Sequence, residues 1–191
     1  MSDVDAAVAA LAAGSLVGLP TDTVYGVAAD LRSERAVNGL FALKARGDDK
    51  PIAVLGASVR QLSDVALVDD RVGALATEAW PGALTLVVRR RSGLPEWVGN
   101  AATDTVGIRI PDHPVALELL GRTGPLAVTS ANRSGDRPVT DDRAARSLFG
   151  DDVAVYLPGG SGGATASTVV DVTGDRDRVL REGPVPWTVS T

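Results

Sequence analysis

Phe41-Ala-Leu-Lys-Ala-Arg-Gly-Asp-Asp-Lys-Pro-Ile-Ala-Val-Leu55 runs from the end of a helix through a short loop into an apolar strand. Upstream, Ser33 stands where an N-cap belongs, and Ala36, Val37, Leu40, Phe41 and Leu43 repeat at helical spacing. The junction also carries Lys44 and Lys50, the only two lysines of the chain, with Arg46 between them. Such a cation cluster suits a polyphosphate or another polyanion, each close ion pair gaining from about 1 kcal/mol in water to about 4 nearer a protein surface. The alternative is a solvated helix end, favoured by the helix dipole and balanced by Asp48 and Asp49.

Working outward, the same alternation of elements continues. Asp3 to Ala13 is an alanine-rich helix with Ser2 as N-cap and Gly14 as its end, and Ser15 to Leu19 is a short apolar strand. Pro20 and the polar run Thr21-Asp22-Thr23 interrupt it before Val24-Tyr25-Gly26-Val27. Asp69 to Ala79 reads as a helix that Trp80-Pro81-Gly82 breaks. Ala83 to Val88 is a β-branched, continuous run suited to a sheet interior. Thr105 to Ile110 alternates as a strand, Val115 to Leu120 is helical, and Pro125 to Val128 is a buried strand. A helix over Asp141 to Phe149, strands at Val153 to Leu157, Ser167 to Val172 and Arg178 to Arg181, and a flexible loop Pro158 to Gly163 complete the chain. Helices and strands that alternate without one clean βαβ period predict an α/β (α+β) domain with a twisted, mixed sheet.

The totals bound the function. At 191 residues one domain spanning 1–191 is expected, with a full core, and no apolar run reaches the ~20 residues of a membrane span. The acidic N-terminus does not resemble a signal peptide, so a cytoplasmic location is expected. The absence of cysteine excludes disulfides, thiolate metal sites and cysteine nucleophiles. A net charge of -5 argues against broad, non-specific nucleic-acid binding while leaving room for a local basic groove.

Several strand ends carry hydroxyls and amides: Thr23, Ser130, Asn132 and Ser167. Turn composition accounts for such residues in part, and a site at the strand ends accounts for them together. Arg109 lies inside an alternating strand, where an arginine close to a core has a fixed anion. That anion is a ligand carboxylate gripped by its planar fork, or an aspartate in a structural salt bridge. No Gly-Lys-Ser/Thr follows Gly159 to Gly163, so a Walker-type loop is rejected; the loop is instead the candidate lid. His113, the only histidine, reads as a turn residue between two prolines. Asp22, Asp104 and Asp171 are candidates to hold Mg²⁺ beside phosphates, none singled out by spacing. Arg89-Arg90-Arg91 reads as a solvated strand end or a functional patch.

Taken in order, Leu19-Pro-Thr-Asp-Thr-Val-Tyr-Gly26, Leu43-Lys-Ala-Arg46 with Lys50-Pro51, Trp80-Pro-Gly-Ala-Leu-Thr85, Val106-Gly-Ile-Arg-Ile-Pro-Asp-His-Pro114, Thr129-Ser-Ala-Asn-Arg-Ser-Gly135 and Ser167-Thr-Val-Val-Asp171 resemble the successive signatures of the YrdC family of threonylcarbamoyl-AMP synthases, from about residue 6 to 185. The resemblance implies synthesis of threonylcarbamoyl-adenylate and pyrophosphate from L-threonine, bicarbonate and ATP with Mg²⁺. It implies a short, single-domain form whose product passes to a complex that modifies tRNA. It places Thr23, Arg109, Ser130 and Ser167 on threonine, and Arg46, Lys50, Thr105, Asn132, Thr140 and Arg181 on ATP with Lys44 beside them. Lys44, Arg46 and Arg109 are then the catalytic set. Lys50 stands where the family often has asparagine, and Leu55 where it has histidine, which leaves open whether that corner touches threonine. Two alternatives within the fold are a double-stranded RNA-binding module, which the acidic charge disfavours, and carbamoyl-adenylate formation, whose multidomain enzymes carry zinc-finger cysteines that this chain lacks.

Overall fold

The computed structural model describes residues 2–44 and 51–188; Arg46 and Lys50 lie outside them. The elements follow in the order α1 (Asp3–Ala12), β1 (Val17–Leu19), β2 (Gly26–Asp30), α2 (Glu34–Lys44), β3 (Ala53–Leu55), α3 (Val59–Leu62), α4 (Asp70–Ala79), β4 (Leu84–Arg89), β5 (Thr105–Arg109), α5 (Pro114–Thr123), β6 (Leu126–Ser130), α6 (Asp142–Phe149), β7 (Val155–Tyr156), β8 (Thr168–Asp171) and β9 (Arg178–Arg181). The strands form one mixed sheet ordered β7-β1-β2-β6-β3-β5-β4-β8-β9. The expected α/β architecture is present; the short helix α3 is an addition that the sequence reading did not contain. Among the described residues no helix is long and apolar enough to cross a membrane.

Local chemistry explains the element ends. In α1 the Ser2 hydroxyl accepts from the Asp5 amide while the Asp5 carboxylate accepts from the Ser2 amide, a reciprocal cap that satisfies two otherwise orphaned donors. Asp69 and Asp141 cap α4 and α6 one-sidedly, each carboxylate accepting from one amide, that of Val72 and that of Ala144.

Strand alternation sorts the sheet into two faces. Leu84, Leu86, Val88, Val106, Ile108, Val54, Ala127 and Val170 point to one face and meet α2, α4 and α6 in the main core. On the other face α1 and α5 pack together through Val4, Ala7, Leu11, Ala116, Leu119 and Leu120 over Leu19, Ala28, Leu126 and Val128. Fully burying each such leucine contributes about 1.5–3 kcal/mol, so Leu119→Ala, at 0% exposure, is expected to loosen this helix pair. The pair covers only the β1–β2–β6–β3 part of its face. The rest of that face, over β5, β4 and β8, is left open, and the cavity lies there and extends to residues of β2, β3 and β6.

Candidate active site

The open face holds a cavity of about 810 Å³, within the range of small-molecule sites. Its floor is the second side-chain set of the strands: Gly26, Ala53, Gly107, Thr85, Val87 and Val169. Small residues at Ala53 and Gly107 make the hollow. A Cβ at Gly107 would sit 3.4 Å from Thr85 Cγ2 and 3.8 Å from Ala53 Cβ, so nothing but the absent side chain keeps this position open. Among the described residues Arg89, Arg109, Arg178 and Arg181 line the cavity against one carboxylate, Asp171, in a chain whose net charge is -5. The local field therefore favours an anionic ligand.

Arg109 closes one end of the cavity and is 5% exposed. Its Nε donates to Gly82 O at 2.8 Å, Nη1 to Thr23 Oγ1 at 2.9 Å and Nη2 to Asp22 Oδ1 at 2.6 Å. Both sequence readings of this arginine are thus in play: a structural ion pair with Asp22 exists, and the same guanidinium lines the cavity. Burial pulls the Arg109 guanidinium below its ordinary value, Asp22 pulls it back, and nearby Arg181 acts in the direction of burial. The carbonyl of Gly82 is presented by the Trp80-Pro81-Gly82 turn, where the Gly82 amide donates to Ile110 O at 2.9 Å.

The hydroxyls around Arg109 have their protons assigned by geometry. Thr21 Oγ1 donates to Val24 O at 2.7 Å and lies 3.1 Å from Thr23 Oγ1. With its single proton spent, Thr21 accepts from Thr23, which already accepts from Arg109. One lone pair of Thr23 remains for a ligand. Ser130 repeats the pattern: its Oγ donates to Asn132 Oδ1 at 2.7 Å and accepts from Lys44 Nζ at 3.0 Å. Both hydroxyls line the cavity as acceptors, ready for N–H or O–H groups. On the far wall Ser167 Oγ pairs with Thr85 Oγ1 at 2.8 Å and accepts from Arg181 Nη2 at 3.0 Å, while Arg181 Nε donates to Ser167 O at 2.8 Å.

The structure thus brings Thr23, Arg109, Ser130, Ser167, Thr105 and Arg181 onto one lining. Lys44 is placed differently from a solvated helix end. It is 1% exposed, and its ammonium donates to Ser130 Oγ and Asn132 Oδ1, so it sits behind Ser130. Asn132, 6% exposed, is held in turn by the carbonyls of Arg133 and Asp136. Thr140 is not on the lining; its carbonyl accepts from the amide and hydroxyl of Ser161 at 2.6 and 3.0 Å. Those bonds, with Gly162 N donating to Thr21 O at 2.9 Å, tie the glycine loop down against the Thr21–Thr23 turn.

Three residues belong here in roles that the sequence does not assign them: from the sequence Thr85 has none, Asp22 is a magnesium candidate, and Arg89 is part of a solvated strand end or a functional patch. Thr85 is a polar break in the apolar run of β4 and faces the cavity beside Ser167. Asp22 fixes Arg109, and Arg89 lines the cavity while donating to Thr103 O at 3.4 Å. The three consecutive arginines divide by strand alternation, since Arg90 is buried against the carbonyls of Leu94 and Pro95. Each magnesium candidate faces an arginine: Asp22 that of Arg109, Asp104 that of Arg90, and Asp171 that of Arg178. Among the described residues no group of three or more acidic or histidine side chains is placed to hold a metal. A smaller hollow of about 310 Å³ behind α2, with Arg35, Arg133 and Asp152 on its walls, contains none of the expected site residues.

Comparison with known proteins bears on this cavity. The Sua5/YciO/YrdC family model, described as "Telomere recombination", matches residues 9–183. A putative threonylcarbamoyl-AMP synthase of Mycobacterium tuberculosis is 48% identical over 181 residues, covering 94% of this chain and 83% of its own. The threonylcarbamoyl-AMP synthase of Bacillus subtilis is 35% identical over 182 residues, 94% of this chain and 53% of its own length. Sua5 of Pyrococcus abyssi, solved in complex with L-threonine, superposes with a TM-score of 0.90 at 33% identity, covering 97% of this chain. The chain spans 56% of that Sua5 structure.

Proposed function

The chain belongs to the Sua5/YciO/YrdC family, and from that premise we propose that it is an enzyme that makes threonylcarbamoyl-AMP from L-threonine, bicarbonate or CO₂, and ATP. The observation that carries this reading is Arg109. It is a buried, fixed guanidinium at one end of an arginine-lined cavity, with hydroxyl acceptors set around it.

In this reading Arg109 receives the threonine carboxylate through the N–H groups that Gly82, Thr23 and Asp22 do not use. Thr23 and Ser130, whose own protons are spent, accept from the substrate's amine and hydroxyl, and Ser167 supports them from the far wall. The ammonium loses one proton to give the free amine, which adds to CO₂ to form the N–C bond, and the nitrogen then gives up a second proton to solvent, leaving an N-carboxylate. A carboxylate oxygen then attacks the α-phosphorus of ATP, the O–P bond forms, and the bond to the β-phosphate oxygen breaks to release pyrophosphate. That makes the enzyme a nucleotidyltransferase without a protein nucleophile. Positioning and charge compensation supply the acceleration. Lys44, behind Ser130, together with Arg46, Lys50 and Arg181 offsets the triphosphate, and Thr105 contacts the nucleotide from the lining, while Asn132 acts through Lys44 and Ser130 and Thr140 through the glycine loop that its carbonyl holds. Mg²⁺ enters as part of the MgATP substrate: Asp22, Asp104 and Asp171 each face an arginine, and among the described residues no acidic cluster is placed to hold a metal. The product goes on to a cytoplasmic complex that transfers the threonylcarbamoyl group to tRNA.

The test is incorporation of labelled bicarbonate. The label is expected in an acid-labile adenylate only when threonine and ATP are both present; incorporation independent of threonine would refute the assignment.

A further inference from the structure

We infer that Asp171 reads a ribose hydroxyl of the nucleotide, and so sets selection for ribonucleoside over deoxyribonucleoside triphosphate. The inference rests on the synthase reading above. Among the described residues Asp171 is the only carboxylate on the cavity lining, and among four arginines a carboxylate has no use for a phosphate. It recognises donors.

The capacity of Asp171 is almost filled. A carboxylate has about four lone-pair positions. Oδ1 takes the amide and the hydroxyl of Thr173 at 3.0 and 2.6 Å, and Oδ2 takes Arg178 Nη2 at 2.9 Å. One position remains on Oδ2, on a side chain that is 15% exposed and held still by three bonds. Burial alone would raise this carboxyl, but the bonds from Thr173 and Arg178 outweigh it and hold the group below the ordinary carboxylate range, charged and accepting. A cation is a poor occupant beside the Arg178 guanidinium, whereas one O–H donor satisfies the remaining lone pair.

Distance selects the ribose rather than the base. Register places Thr85 beside Val169 and Val87 beside Asp171, with Leu86 opposite Ile108. The Cα atoms of Arg109 and Asp171 are therefore two strand spacings across and two residues along from each other, about 12 Å at ~4.8 Å and ~3.3 Å per step. From an amino acid's carboxylate through its N-carboxylate and the α-phosphate to ribose C3′ is roughly ten bonds, again about 12 Å at the ~1.2 Å per bond of an extended chain. The exocyclic amine of adenine lies several bonds further.

The experiment is calorimetric binding and steady-state turnover of ATP, 2′-deoxyATP, 3′-deoxyATP and ITP by the wild-type protein and Asp171→Asn. The wild type is expected to bind and use at least one of the two deoxynucleotides about tenfold or more worse than ATP, because a site built for a hydroxyl is left unpaired without it. In Asp171→Asn that preference collapses to within about threefold, while the threonine KM stays within about twofold. Equal use of ATP and both deoxynucleotides by the wild type overturns the inference, as does an unchanged preference in the variant. Discrimination against ITP alone overturns it too. The wild-type series needs no variant to fold. Absence of threonine-dependent turnover together with preserved ribose selectivity in binding would remove the synthase reading and leave this inference standing.

Discussion

Arg109 and Asp22 form one buried unit: Nη2 of the arginine donates to Oδ1 of the aspartate at 2.6 Å, and that oxygen also accepts the Asp112 amide at 3.0 Å. The aspartate thereby ties the guanidinium to the segment that leads into α5. Replacing Arg109 by lysine keeps the charge but removes the fork that reaches Gly82, Thr23 and Asp22 together. We expect kcat/KM for threonine to fall about 100-fold, roughly 2.7 kcal/mol of transition-state stabilisation, with ATP affinity within about threefold. Loss of ATP affinity alone would contradict the assignment of this end of the cavity.

Asp22 is expected to matter for stability as well. Its side chain is 16% exposed and that of Arg109 6%, so Asp22→Ala strands a buried charge. Breaking such a pair costs about 3–5 kcal/mol, and the partial exposure of Asp22 points to the lower end. Urea unfolding measures this, and a change below about 1 kcal/mol would show that the pair is screened as surface pairs are.

Gly82 links the turn to the guanidinium. A Cβ there would stand 2.5 Å from the Ala79 carbonyl oxygen, a backbone atom that cannot swing away. Gly82→Ala therefore displaces the carbonyl that receives Arg109 Nε. The expected result is a stability loss of about 1–3 kcal/mol together with a raised threonine KM. A variant with unchanged threonine KM would separate the turn from the site.

Behind the cavity, Asn132→Ala takes an acceptor from the buried Lys44 ammonium and from Ser130. A loss of about 1–3 kcal/mol in denaturant unfolding is expected. Ser130→Ala, which leaves the Lys44–Asn132 bond in place, is expected to cost less. The reverse order of the two variants would mean that Ser130, rather than Asn132, is the main support of the lysine.

The acid limb of stability follows from carboxyls held low in the folded state. Burial opposes it, yet the bonds from Arg32 hold Asp30 down as those from Thr173 and Arg178 hold Asp171 down. A carboxyl lowered on folding stabilises fully above its unfolded value of about 3.9 and loses that contribution as pH falls through the lower folded value. Stability is therefore expected to drop below about pH 4, less steeply in Asp171→Asn. A flat profile down to pH 3 would contradict the folded-state bonds of these two residues.

Much of the sheet is legible in the sequence because its strands read as short apolar runs. In β4 the alternation even marks the cavity face, since Thr85 breaks an apolar series between Leu84 and Leu86. Arg109 is legible for the same reason, as a charge inside a strand. What it pairs with is not: Asp22 lies 87 residues away in sequence, and local pattern does not report a long-range ion pair. Lys44 misleads in the other direction, because a lysine in the last turn of a helix has the composition of a solvated end, and only the approach of β6 with Ser130 and Asn132 buries it. The glycine loop likewise reads as loose from composition, while its amides find Thr21 and Thr140 across the chain.

The most direct test is pyrophosphate release by the purified protein in the presence of MgATP, with threonine and bicarbonate omitted in turn. The account predicts release that requires both, is lost in Arg109→Ala, and is not supported by alanine in place of threonine. Release that continues without threonine, or tight salt-sensitive binding of double-stranded RNA with no pyrophosphate formed, would contradict it.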